Sequence, residues 1–189
     1  MPIAPNMVDP VVWTLYDTLV LNAGSVVPSE FRFFQGGQDK AKTNVSQAER
    51  LPDPEWFNCW SIGFQFHTNV LKADIDQLLN NYFYEFWVGQ KVYAEGPVQS
   101  APSGYGLYGA TAAAGEYAWS NGHPMVQNMI DLRLPPPIGD GLIGVTILQG
   151  QMFRVKLIGT SFTLTNANSG GQGMRLKCYL TGILSRGVQ

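Results

Sequence analysis

Apolar and polar positions alternate along most of this chain, most densely between Trp56 and Tyr93. In the first run there, Trp60, Ile62, Phe64 and Phe66 share one parity while Cys59, Ser61, Gly63, Gln65 and His67 take the other, the period of a half-buried strand. This predicts an antiparallel sheet with one wet face. In the second run, Tyr82, Tyr84, Phe86, Val88 and Val92 share a face. Opposite them Glu85 and Lys91 mix with Phe83, Trp87 and Tyr93, so aromatic a second face predicts cover on both sides. Between the runs, Leu71, Ile75, Leu78 and Leu79 follow the i, i+4, i+7, i+8 spacing of one apolar helical stripe. The stretch therefore predicts strand, short helix over 69–81, strand.

Either side of this centre the period of two continues. Trp13, Leu15, Leu19 and Leu21 alternate with Val12, Thr14, Tyr16, Thr18 and Val20, a β-branched and aromatic mixture that favours a strand. A turn at Asn22 to Ser25 and a second strand from Pro28 to Phe34, closed by Gly36-Gly37, predict a hairpin. Residues 38–55 read as a polar loop ending in Leu51-Pro52-Asp53-Pro54, whose prolines force an extended path. Further strands are expected over Met125 to Leu134, Leu142 to Leu148, Met152 to Ile158, with Phe162 to Thr165 extending it, and Leu176 to Leu184. The sum is a mainly β chain: an antiparallel two-sheet β-sandwich of jelly-roll type with one short helical insert. It divides into an N-terminal arm over 1–10, proline-rich and without a period, and a single domain over 11–189.

One connection is too long to be ordinary. Glu95 to Pro124 holds two internal prolines before Pro124, six glycines and the run Ala112-Ala113-Ala114, and loops beyond about 15 residues usually carry function. Tyr105, Leu107, Tyr108, Tyr117 and Trp119 within it are the candidate subunit-contact residues, because aromatics bury large areas with few rotatable bonds.

Composition narrows the class. Charged residues are 14% of the chain against about 25% in ordinary soluble domains, so the surface is largely neutral and suits protein contacts. Formal charge is -2 with scattered basic residues, which lacks the footprint of nucleic-acid binding. No secretory signal or membrane span is legible, so folding in the cytoplasm is expected. Cys59 and Cys178 each sit inside a strand pattern, which favours free buried thiols over a disulfide or zinc site. Asn44-Val45-Ser46 is a glycosylation sequon by pattern only.

Chemical motifs are sparse. Gly104-Tyr105-Gly106-Leu107-Tyr108-Gly109 fits GxGxxG, with Asp131 placed as a ribose-binding acid would be. Pro97 and Pro102 separate it from any preceding strand, so a contact loop is the better reading and no cofactor is expected. His67 and His123 lack partners at metal-ligand spacing and read as strand and loop residues. Asp74 and Asp76 offset the dipole of the helical insert. Glu85 and Lys91 could pair across a sheet, and Glu95, Asp131 and Asp140 could form a carboxylate site, though spacing alone joins none of them. Trp56, Trp60, Trp87 and Trp119 are the candidates for stacking on a sugar, against the commoner role of aromatics in cores and interfaces.

Several loop and turn signatures together resemble jelly-roll structural proteins of bacterial viruses. They are the run from Thr43-Asn44 to Leu51-Pro52-Asp53-Pro54, the strand Trp60 to Phe66, Gly89-Gln90-Lys91-Val92-Tyr93, Pro102-Ser103-Gly104-Tyr105-Gly106, Asn121-Gly122-His123-Pro124, and Leu180-Thr181-Gly182-Ile183-Leu184 to Val188-Gln189. The resemblance implies a bacteriophage capsid subunit without an active site. Its partners would be copies of itself and other virion proteins, and its location the virion. The alternative is a carbohydrate- or receptor-binding module of a phage fibre, a decoration protein or a cell surface.

Overall fold

The alternating runs become strands of two facing antiparallel sheets in a computed structural model that describes residues 8–37, 39–66, 70–101, 117–118, 129–135 and 141–187. In chain order these are β1 (Val8–Leu21), β2 (Val26–Val27), β3 (Glu30–Arg32), β4 (Trp56–Phe66) and β5 (Val70–Leu71). Helix α1 (Lys72–Asn81) follows, then β6 (Tyr82–Val88), β7 (Lys91–Pro97), β8 (Tyr117–Ala118) and β9 (Ile130–Asp131). The chain ends with β10 (Val145–Ile147), β11 (Phe153–Gly159), β12 (Phe162–Thr163) and β13 (Met174–Gly187).

The first sheet runs β1-β13-β4-β10, with β9 also paired to β4, and the second runs β3-β11-β6-β7. Leaving out β9 and counting only the eight strands of these two paths, the first sheet reads first, eighth, third, sixth; the second reads second, seventh, fourth, fifth. Only β6 and β7 are consecutive neighbours within one sheet; every other step between consecutive strands of this set changes sheet. The pairs β2 with β12 and β5 with β8 stand apart.

Aromatic rings join the sheets into a β-sandwich. The Phe64 ring of β4 lies 5.6 Å from Tyr84 of β6 and 5.9 Å from Phe33, which follows β3. Leu15, Ile62, Leu176 and Leu180 enter this core from the first sheet, and Phe86, Val155 and Leu157 from the second. Besides a register shift at Tyr93 of β7, where Phe86 pairs with Ala94 but Trp87 with Val92, so that Val92 leaves its expected face, their parities are those read from the sequence, with one exception.

That exception is in β4. Thr181 pairs with Ser61 but Gly182 pairs with Cys59, so Trp60 is an extra, bulged residue. The bulge flips the inward set: Phe57 and Cys59 are buried before it, Ile62, Phe64 and Phe66 after it, and Trp60 itself is half-buried. The expected placement of Trp60 with the core residues is therefore corrected. Its carbonyl accepts from Leu132 N at 2.7 Å, and Gly182 is needed opposite because a Cβ there would stand 2.0 Å from Asn58 O.

Other expectations change too. Val8 to Pro10 belong to β1, paired with Gly187, Arg186 and Ser185, so the expected arm over 1–10 is shortened. The hairpin of residues 11–34 does not form: β1 pairs β13, β2 pairs β12 and β3 pairs β11. The run from Tyr82 to Tyr93 is two strands, broken at Gly89 with φ 61°. Its outer face is open, with Phe83 42% and Tyr93 43% exposed. Phe162 and Thr163 leave the β11 pattern to join β2. Within Met125 to Leu134, β9 is the described strand, and 125–128 lie outside the described residues. Helix α1 buries Ile75 and Leu78 as its stripe predicts. Asp74 does more than offset a dipole: buried, it accepts from Thr165 N at 3.2 Å and Thr165 Oγ1 at 2.9 Å, tying the helix to the end of β12.

Candidate functional site

Strand β1 ends the first sheet, and an unpaired edge invites pairing with another chain. Here a loop covers part of it. Asn44 mimics a neighbouring strand: its Oδ1 accepts from Tyr16 N at 2.8 Å and its Nδ2 donates to Thr14 O at 2.7 Å. Asn44 N and Thr43 Oγ1 both donate to Tyr16 O, at 3.2 and 3.1 Å. Thr18 Oγ1 donates to Lys42 O at 2.8 Å, and the Tyr16 hydroxyl donates to Lys40 O. Val45, 3% exposed, pins the loop to the core. The sequon asparagine thus spends its amide nitrogen on the backbone of β1.

Between this loop and β1 lies an open cleft of about 1020 Å³, walled by Val12, Trp13, Tyr16 and Tyr179 with Lys40 and Ser46 at its rim. Val12 is 72% and Trp13 43% exposed. Sequence parity places Trp13 with the core residues of β1. Its partner across the ladder is Gly182, however, which offers no side chain to pack against, and Trp13 stands in the cleft.

Beside it, a smaller cleft of about 290 Å³ contains Asp17. The Asp17 carboxylate accepts from Phe34 N at 2.5 Å and Thr18 N at 2.9 Å. Burial raises its pKa above the ordinary carboxylate value, against the lowering effect of those bonds. The arrangement holds Phe34 at φ 65°, a structural task that accounts for the half-buried acid. Cys59 and Cys178 are free and buried, and burial pushes both thiols up, which leaves them poor nucleophiles.

The outer face of the second sheet is a mixed patch. Trp87 is flanked by the Arg154 guanidinium at 5.3 Å and the Lys156 ammonium at 5.5 Å, and its indole N–H donates to Glu85 at 2.6 Å. Lys91 sits 4.7 Å over the Tyr93 ring rather than beside Glu85, whose partner in register is Glu95. The expected Glu85–Lys91 pair is therefore absent from this sheet.

The remaining sequence candidates separate. Tyr105, Leu107, Tyr108 and Trp119 lie outside the described residues, as do the GxGxxG run, His67, His123 and Asp140. Tyr117 opens β8, its backbone in register with Leu71. Asp131 pairs with Arg133 at 2.7 Å, which lowers its carboxyl pKa, and it belongs to the first sheet whereas Glu95 belongs to the second. Of the stacking candidates, Trp56 is 36% exposed, and Trp60 carries Arg133 at 5.9 Å and donates to Asn58 Oδ1. Trp87 is flanked as described. Among the described residues no cluster of His, Cys, Asp and Glu could hold a metal, and no helix is long and apolar enough to cross a membrane. Compared with protein-family models, curated proteins and solved structures, the chain matches none.

Proposed function

We propose that this chain is a bacteriophage capsid subunit of jelly-roll fold that assembles with copies of itself and performs no catalysis. The observation that supports this reading is the strand order: first, eighth, third, sixth facing second, seventh, fourth, fifth. In a jelly roll, two Greek keys wrap an eight-strand sandwich in this way, and the architecture serves viral shells among other uses. Because nearly every connection crosses between sheets, loops gather at the two ends of a rigid wall, where neighbouring copies can meet. A surface poor in charge does not repel identical neighbours. Other virion proteins are further partners, and the subunit is made in the host cytoplasm and resides in the virion.

The carbohydrate- or receptor-binding alternative is less well supported. It needs a free aromatic platform; of its stacking candidates Trp60 and Trp87 already carry cations on their rings, which leaves Trp56, 36% exposed, and Trp119, outside the described residues.

Size-exclusion chromatography with light scattering, followed by negative-stain microscopy of every fraction above a small oligomer, tests the proposal. Closed shells or regular capsomers are expected. A monomer under all salt and pH conditions overturns it.

A further inference from the structure

We propose that the outer face of the second sheet packs against the same face of a second copy of the chain, turned about a two-fold axis that runs along the strands. The inference rests on the reading of a self-assembling subunit and names one surface by which copies meet.

The order of charges across the sheet carries it. Arg32 of β3 is in register with Lys156 of β11, Lys156 with Glu85 of β6, and Glu85 with Glu95 of β7. Four charged side chains thus stand in one row across the strands, two cations followed by two carboxylates, about 14 Å from end to end at the spacing of neighbouring strands. For a sheet alone in water this order is unfavourable. Like charges directly opposite one another destabilise a strand pair, and here both outer pairs are alike. Alternating signs would avoid the repulsion, whereas the sorted order suits a partner whose charges run the other way.

A copy of the same face is such a partner. Rotation by 180° about an axis between β11 and β6 keeps each row at its own height and reverses it, so Arg32 meets Glu95 of the second copy and Lys156 meets its Glu85. Each contact then occurs twice, as a two-fold interface requires. The neighbouring rows fit as well. On one side Ile158 meets Phe83, which is 42% exposed, and Glu30 meets Pro97 rather than a carboxylate. On the other, Arg154 meets Trp87, repeating between copies the contact it makes within the chain at 5.3 Å. The rotation keeps the strand directions aligned, as in packed sheets, and long charged side chains span the roughly 10 Å between such layers.

The ends of the row are available for this contact. Glu95 has no ion pair among the described residues, and Arg32 engages Glu30 through Nε at 3.2 Å, which leaves its terminal nitrogens for a second carboxylate. Lys91, the further cation of β7, lies over its own Tyr93. The face is four strands wide and up to seven residues long, on the order of 450 Å² per copy at these spacings. The roughly 900 Å² for the pair is below the standard interface of about 1,600 Å², so the contact alone is weak and forms at high subunit concentration and low salt.

Sedimentation equilibrium of the whole chain at low ionic strength tests this. Arg32→Glu and Glu95→Lys each set two like-charged pairs into the contact, one at either end of the row, and each should weaken self-association at least about tenfold. Thermal unfolding at or above that of the parent shows that the loss is not misfolding, and Glu95→Lys removes a repulsion within the subunit. Mixed together, the two variants should associate about as tightly as the parent, because the new acid faces the new lysine at one end of the row and Arg32 faces Glu95 at the other. In about 1 M salt the differences should largely vanish. Failure of the mixture to recover overturns the two-fold arrangement. Unchanged association of both single variants, in samples that still form capsomers, overturns the contact and leaves the capsid reading standing. A parent protein that stays monomeric at every concentration and salt overturns both.

Discussion

Strands β4 and β6 carry the same aromatic, alternating signature, yet their outer faces are opposite in kind. Both are central, β4 between β13 and β10 and β6 between β11 and β7. From Ser61 to Phe64 every residue of β4 is buried, on both faces. Along β6 burial alternates strictly, leaving Phe83, Glu85 and Trp87 on an open side. A central position protects the edges of a strand, where its hydrogen bonds are made, but not its faces. Face cover comes from chain laid across. Over β4 the Met129 side chain supplies part of it, with Ser61 Oγ 3.7 Å from Met129 Sδ, while β9 and Leu132, which follow, pair with the edge of the strand. On β6 long cationic side chains from β11 lie against the tryptophan instead.

The largest test of this contrast is a pair of truncations. Phe64 is fully buried and its ring meets those of Phe33 and Tyr84 on the facing sheet's side, so Phe64→Ala should cost about 3–5 kcal/mol through lost burial and a residual cavity. Phe83→Ala, on the open face, should stay within about 0.5 kcal/mol. Urea unfolding of dissociated subunits measures both. Equal losses would mean that the outer face of β6 is as covered as the core, and the contrast would fail.

A second pair probes the glycines that face these strands. At Gly182, opposite the β4 bulge, a new methyl meets the Asn58 backbone at 2.0 Å. Gly182→Ala must shift the ladder and should cost about 1–3 kcal/mol, as overpacking does. Gly96, opposite Tyr84 of β6, would bring its methyl to 3.3 Å from Ser100 Oγ and 3.4 Å from the Tyr84 ring. Those are side chains that can yield, so Gly96→Ala should change stability by less than about 1 kcal/mol. The same unfolding measurement ranks them, and a reversed order would remove the bulge from the account.

These glycines also mark how far the sequence could be read. Period two predicts which residues of β1, β6, β11 and β13 face inward, because burial on one face imposes that period. It carries no sign of the extra residue at Trp60, since a bulge depends on what the partner strand offers, here Gly182. Nor does it say which strands pair: the turn at Asn22 to Ser25 suggests a hairpin, while β1 instead finds β13 at the other end of the chain. Trp13 shows the limit for the candidate site. Its parity is that of a core residue, and only the glycine opposite and the loop at Asn44 turn it into a cleft wall. Of the two buried cysteines, Cys178 follows its strand parity, whereas Cys59 has the parity of the polar face and is buried because the bulge at Trp60 switches the inward set.

The smallest effect has the opposite sign. Glu85 and Glu95 stand directly across from one another on the outer face of β6 and β7, a like-charge pair that costs a sheet a few tenths of a kcal/mol. Lys156 is in register with Glu85 on its other side and pairs with Glu30 at 3.8 Å, so its charge is shared rather than committed to Glu85. Replacing Glu95→Lys puts a cation where the repulsion was and should stabilise the dissociated subunit by about 0.2–1 kcal/mol at low ionic strength. Exposed pairs are screened, so in about 1 M salt, where the Debye length is near 3 Å, most of that gain should vanish. Thermal unfolding of both proteins at the two salt concentrations measures it. A gain that persists in high salt would require a dry environment around Glu95, and the outer face of β6 and β7 would then be covered like that of β4.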